Sequence, residues 1–195
     1  FYSHNGLSLV FRVIQNRIPD FSTLGFPEFV AKRVLHDQQG LILVVGPTGQ
    51  GKSTTLGSFL QERSRQRTEH ILMIEDPIEY IIPSGKSMVQ QREIGRDVVH
   101  FRDGLHAAMR EDPDVIMIGE IRENESMLAT LDMAETGHLV FGTLHTNDAV
   151  QTITRILNSF PPEQRPQVRN QLSSNLSMII SPRLVPTLDG KRCLA

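Results

Sequence analysis

The sequence predicts an α/β domain with a mainly parallel sheet flanked by helices, and three observations carry that prediction. Four apolar runs, Leu41–Val45, Ile71–Ile74, Val115–Ile118 and the stretch from His138 to Asn147, read as strands buried on both faces. Segments of helical period separate them. The first run enters Gly46-Pro47-Thr48-Gly49-Gln50-Gly51-Lys52-Ser53-Thr54, the full G-x-x-x-x-G-K-[ST] pattern in its strand–loop–helix context.

By its chemistry that loop is a nucleotide cradle. Its glycines let successive N–H groups turn inward toward a phosphate, and a helix opening near Lys52 adds its positive dipole end. Lys52 is expected to reach the β- and γ-phosphates of ATP, and the Ser53 hydroxyl to ligate Mg²⁺. A glycine-rich surface turn is the bland alternative, and the buried strand ahead of the loop argues against it.

Composition sets the outer bounds. The 195 residues, 39% hydrophobic and 22% charged, are ordinary globular material. A net charge of −2 gives no overall pull toward nucleic acid or anionic lipid. The single cysteine, Cys193, excludes an intramolecular disulfide and a multi-cysteine zinc site, and it suits a reducing compartment. No run approaches the ~18 apolar residues of a membrane span, and Phe1-Tyr2-Ser3-His4 has no signal-peptide character. The expectation is a cytoplasmic protein without membrane insertion.

Residues 1–20 read as the end of a preceding domain and a linker, with 21–195 as the main domain. Leu7–Ile14 alternates as a strand would, yet eight residues cannot form a sheet alone. Phe26–Leu35, with Pro27 early, reads as a helix, and Thr54–Arg65 as another whose buried stripe is Leu56, Phe59 and Leu60. The mixed-charge run Glu62–Glu69 is either a basic patch for DNA or a solvated helix face. Its interrupting acids and lack of aromatic residues favour the second.

The second strand ends in Glu75-Asp76-Pro77-Ile78-Glu79, three carboxylates where a parallel strand meets a ligand crevice; they can orient water or hold Mg²⁺. Val89–Ile94 reads as an edge strand, and Phe101–Glu111 as a helix stopped by Asp112-Pro113. The third strand ends in Gly119-Glu120, with glycine in the place where many P-loop enzymes carry aspartate. Glu120 is therefore expected to polarise water, the alternative being a structural pair with Arg122. Asn124–Thr136 reads as a helix ended by Gly137, Ala149–Leu157 as another, and Pro166–Ile180 as a last one. His138 and His145 bound the fourth strand; each alone is more often structural than catalytic, but His145 lies at the carboxyl end, where it can sense a γ-phosphate.

In that order, Gly46–Thr54, Ile74–Glu79, Arg110–Asp114 through Gly119–Arg122, then Thr136-Gly137-His138 and Thr143–Thr146, the motifs resemble those of the secretion ATPase superfamily. In that family's terms they are the Walker A motif, the aspartate box, an atypical Walker B motif and the histidine box. The PilT-like branch, which powers type IV pilus retraction in twitching motility, is the most similar. The resemblance implies a RecA-like P-loop ATPase domain that forms a ring, usually a hexamer, after a PAS-like N-terminal domain. It also implies that Arg12 lies near the nucleotide and that an inner-membrane pilus platform protein is the partner. An ordinary surface arginine is the other reading of Arg12. Extension and type II secretion members usually carry four zinc-binding cysteines after the histidine box, where this chain reads Ser181–Gly190, which favours the retraction-like branch. His106, where arginine is frequent, and Glu123, where aspartate is usual, depart from the pattern.

The expected activity is Mg-dependent ATP hydrolysis coupled to motion between subunits. Lys52, Glu120, Glu79 and Arg12 would be the catalytic set, and Gly46–Thr54, His138 and His145 the nucleotide contacts. Other secretion or pilus-extension ATPases, and a nucleic-acid translocase, are the alternatives. The latter would need a basic, aromatic-bearing pore, which a chain with no tryptophan and two tyrosines does not suggest.

Overall fold

The computed structural model describes residues 2–4, 6, 7, 9, 17–187 and 192–194. Arg12 and most of the expected strand Leu7–Ile14 lie outside them. A small antiparallel hairpin, β1 (Tyr2–Ser3) and β2 (Gly6–Leu7), comes first. The body of the chain is a six-stranded sheet of β3 (Gly40–Val45), β4 (His70–Glu75), β5 (Met88–Glu93), β6 (Val115–Ile118), β7 (Leu139–Leu144) and β8 (Leu176–Ile180). Its order is β5-β4-β6-β7-β3-β8, and every pairing is parallel. A second hairpin, β9 (Leu184–Pro186) and β10 (Arg192–Leu194), follows.

The strands form because both of their faces have something apolar to meet. Along β3, Leu41, Leu43 and Val45 enter one core while Ile42 and Val44 enter the other, the period of two turned to burial on both sides. On one face lie the short 3₁₀ turn Phe21–Leu24, α1 (Glu28–His36) and α2 (Lys52–Gln66), the last giving Leu56, Phe59 and Leu60. The other face is covered by α3 (Phe101–Ala108), α4 (Asn124–Glu135), α5 (Ala149–Ser159) and α6 (Arg165–Asn175), through Leu105, Met127, Leu131, Ile156 and Leu172. Among the described residues, no helix is long and apolar enough to cross a membrane.

Two sequence expectations are corrected. The last helix stops at Asn175, and Leu176–Ile180 is strand β8 instead. Leu172, Leu176 and Ile179 have helical spacing, but β3 has a free edge that β8 fills in parallel register, so pairing overrides local period. The mixed-charge run is neither basic patch nor wholly solvated. Arg63 is 1% exposed and grips Glu69 with Nε and Nη2, each at 2.7 Å, while Nη1 donates to the Val34 carbonyl at 2.6 Å.

That guanidinium ties α1, α2 and the entry to β4 together. Arg63→Ala would leave the Glu69 carboxylate only the Arg67 Nε contact at 3.2 Å and the Val34 carbonyl without this donor, so stability should fall by about 1.5–3 kcal/mol in denaturant unfolding. A loss below about 1 kcal/mol would show the pair to be dispensable.

Candidate functional site

All six strands run the same way, so the loops that follow them share one rim of the sheet, where an open parallel sheet places its ligands. After β3 the chain turns through Gly49 and Gly51, whose φ of 80° and 86° lie in the left-handed region that glycine enters freely. Gly51 is the residue before α2, so the loop hands the chain to the helix with its N–H groups free to face a ligand. A cleft of about 600 Å³ opens there, lined by Thr48, Gly49, Gly51, Lys52, Ser53 and Thr54 from this turn. From the neighbouring strand ends come Glu75, Asp76 and Glu79, Gly119, Glu120 and Arg122, and Thr143 and His145.

Lys52 is 8% exposed, and its Nζ donates to the carbonyls of Gly46 at 2.8 Å and Pro47 at 3.1 Å. Burial lowers its pKa from the ordinary lysine value, against the pull of Glu120 and Glu79. Gly46 and Pro47 therefore form the floor on which the lysine is held. Gln50 turns away, its Oε1 accepting the Leu184 N–H at 2.9 Å, which fastens β9 to the loop.

Glu120 is placed by backbone on both sides. The Gly119 N–H donates to the Ile74 carbonyl at 2.8 Å, the Ile121 N–H donates to the Thr143 carbonyl at 3.0 Å, and the Thr143 hydroxyl donates to the Gly119 carbonyl. A Cβ at position 119 would sit 3.1 Å from Glu75 Cα and 3.2 Å from the Ile74 carbonyl oxygen. The close approach of β4 and β6 thus explains why glycine stands where aspartate is usual. Glu120 Oε2 accepts from Arg122 Nη2 at 2.6 Å, and Oε1 lies 3.1 Å from His145 Nε2. The Arg122 hydrogen bond is the main reason its carboxyl pKa is lowered. Glu120 thus pairs with Arg122 and also lines the cleft.

His145 Nδ1 is 3.4 Å from Lys52 Nζ. An ammonium has no acceptor capacity, so Nδ1 accepts, and the ring proton sits on Nε2, donating to Glu120. One imidazole therefore spans Lys52 and Glu120, the residues expected to act on phosphate and on water. His138 is not part of this arrangement. It precedes β7 at the opposite rim, where its Nδ1 lies 3.1 Å from the Met133 carbonyl and its own carbonyl accepts from Gly40. Six residues of β7 lie between the two histidines, so they are seven steps apart, about 23 Å at strand rise.

Of the three carboxylates at and beyond the end of β4, Glu75 is the buried one. It is 5% exposed, and burial raises its pKa to about 7, so its neutral form is favoured far above the usual carboxylate range. Asp76 is exposed and follows it into a cis peptide with Pro77, and Glu79 lines the cleft. Among the described residues, no group of three or more acidic, histidine or cysteine side chains could hold a metal alone. The Ser53 hydroxyl, which lines the cleft beside Lys52, is a side chain that could hold a Mg²⁺ brought in with a nucleotide.

Sequence reasoning missed Gln91 and Tyr80. The Tyr80 hydroxyl lies 2.9 Å from Thr54 Oγ1 and links the aspartate box to the first turn of α2. A lone tyrosine or glutamine carries no motif, so no signal marked them.

The sequence matches the family described as Type II/IV secretion system protein over residues 2–194. The chain belongs to that family. Within the type II/IV secretion system proteins, it is 46% identical over 195 residues to the type IV pilus retractation ATPase PilT of Pseudomonas aeruginosa, covering 100% of this chain and 56% of that one. It is 43% identical over 190 residues to a twitching motility protein of Neisseria gonorrhoeae, covering 97% of this chain and 50% of the relative. A crystal structure of the pilus retraction motor PilT with bound ADP superposes with a TM-score of 0.90 at 52% identity, over 94% of this chain and 53% of that one. The chain spans about half the length of the curated relatives it matches.

Proposed function

We propose that this chain is the ATPase core of a ring motor of the type IV pilus machinery, one that hydrolyses ATP with Mg²⁺ and drives pilus retraction. The observation that carries the reading is the convergence of Lys52, Ser53, Glu79, Glu120 and His145 on one cleft behind a P-loop. Lys52 and the loop amides neutralise phosphate charge, and Ser53 offers its hydroxyl to the metal. A Mg²⁺ held through Ser53 would supply positive charge to offset that developing on the phosphates. Glu120 orients the attacking water and accepts its proton as the water oxygen bonds to the γ-phosphorus and the bond to ADP breaks. Glu79 supports that water or the metal's hydration shell, and His145 reads the γ-phosphate through Lys52 and Glu120.

The protein is proposed to work as a homo-oligomeric ring, usually six subunits in this family, in the cytoplasm against an inner-membrane pilus platform protein. Residues 1–20 would then be the end of a PAS-like domain, whose Arg12 approaches the nucleotide as the domains close. The order of similarity supports retraction over secretion: identity is 46% to the retraction ATPase but 38%, over 192 residues, to the type II secretion system protein E of Xanthomonas campestris.

Deletion of the gene in its host tests the reading. A retraction motor lost from the cell should leave pili assembled, accumulating on the surface, with twitching abolished and restored by the wild-type copy. Loss of surface pili would assign the protein to assembly and overturn retraction. Purified full-length protein without Mg-dependent ATP hydrolysis would overturn the enzyme.

A further inference from the structure

The segment from Asp76 to Ile82 carries Glu79 into the cleft, and side chains of β5 hold that segment in place. Gln91 and Glu93 are two residues apart, so they leave the same face of the strand. Glu93 Oε2 accepts the Ile78 N–H at 3.1 Å. Gln91 Oε1 accepts the Ile82 N–H at 2.8 Å, while its Nε2 donates to the Tyr80 carbonyl at 2.8 Å and to Glu75 Oε1 at 2.9 Å.

Both protons of the Gln91 amide and one of its lone pairs are therefore committed. Those three bonds bracket Glu79, because Tyr80 and Ile82 follow it and Glu75 ends the strand before it. Tyr80 also anchors the bracket to the P-loop helix through Thr54. Its ring lies against Gly57, where an added Cβ would meet Tyr80 Cδ2 at 3.7 Å. Gln91 itself is not among the residues lining the cleft. An amide that touches no ligand yet fixes both flanks of a cleft carboxylate sets where that carboxylate points.

We propose that Gln91 is a positioning residue for ATP hydrolysis, its amide clamping residues 80–82 to Glu75 so that Glu79 is held at the γ-phosphate end of the cleft. The proposal rests on the role given to Glu79 above. It requires the chemical step, and not nucleotide capture, to depend on Gln91. Capture belongs to Lys52 and the loop amides, none of which Gln91 bonds; the clamp meets the loop only where the Tyr80 hydroxyl reaches Thr54 Oγ1.

The test uses full-length protein carrying Gln91→Met, which keeps length and removes all three bonds, and Gln91→Glu, which keeps the acceptor for Ile82 and loses both donors. Turnover should fall about 10- to 100-fold, as expected of a small misplacement, with the dissociation constant of a fluorescent ATP analogue within about two-fold of wild type. Placed on Glu79→Gln, either change should cost nothing further, because residues acting through one group do not add. If Gln91→Met does not fold, the isosteric Gln91→Glu carries the measurement. Wild-type turnover in a folded variant, equal losses of affinity and turnover, or losses that multiply with Glu79→Gln would each overturn the positioning role. Those outcomes are distinct from a Glu79→Gln protein of full activity, which would remove the reading beneath it.

Discussion

Lys52→Ala is expected to abolish measurable ATP turnover, a fall of at least ~10²–10³-fold, and to weaken nucleotide binding while the fold survives. The catalytic half follows from position: Nζ hangs over the loop floor, on the carbonyls of Gly46 and Pro47, at the only end of α2 that the cleft reaches. No other cation among the described cleft-lining residues can take its place, since Arg122 is engaged by Glu120. The structural half follows from the sign of its pKa shift. Burial lowers the Lys52 pKa, so the unfolded chain holds that proton more tightly than the folded one, and the buried charge weakens the fold at neutral pH. Removing it should leave the melting temperature unchanged or slightly raised. Turnover near wild type in a Lys52→Ala protein that melts normally would sink the assignment.

The sheet was legible because β3, β4, β6 and β7 are apolar on both faces, a pattern that needs only local reading. So was the gathering of the P-loop, Glu79, Glu120 and His145 in the loops that follow such strands, around one cleft. β8 was not, because Leu176–Ile180 becomes a strand only when β3 offers it an edge, a fact about the neighbour. His138 misled for a related reason: sequence distance along β7 is spatial distance, and a histidine box with one member at each end of a strand cannot meet in one chain. Gln91, Tyr80 and the buried Arg63 were invisible because their roles lie in partners many residues away. The pair with Arg122, the alternative offered for Glu120, is present in the structure. What sequence reading could not supply was that the pairing turns the carboxylate toward His145 and leaves it facing the cleft.

Glu120→Gln should keep Mg-ATP bound and lose hydrolysis by roughly 10²–10⁴-fold, the range for removal of a general base. The wild-type carboxylate accepts from Arg122 on one oxygen and from His145 on the other, and the Arg122 hydrogen bond lowers its pKa, so it is ionised at neutral pH and ready to take a proton. An amide can keep its oxygen toward Arg122 only by turning its N–H groups toward His145 Nε2. That nitrogen would then have to accept, which moves the ring proton to Nδ1, directly against the Lys52 ammonium 3.4 Å away. The substitution thus removes the proposed base and also unsettles the imidazole between Lys52 and Glu120, while Lys52 and the loop amides themselves remain. Binding of a fluorescent ATP analogue and single-turnover hydrolysis, measured on the same full-length protein, separate these effects. Retained binding with hydrolysis reduced into that range is the expected result. If Glu120→Gln hydrolyses at the wild-type rate while Glu79→Gln is inactive, the two carboxylates have exchanged roles, and the water sits on the β4 side of the cleft.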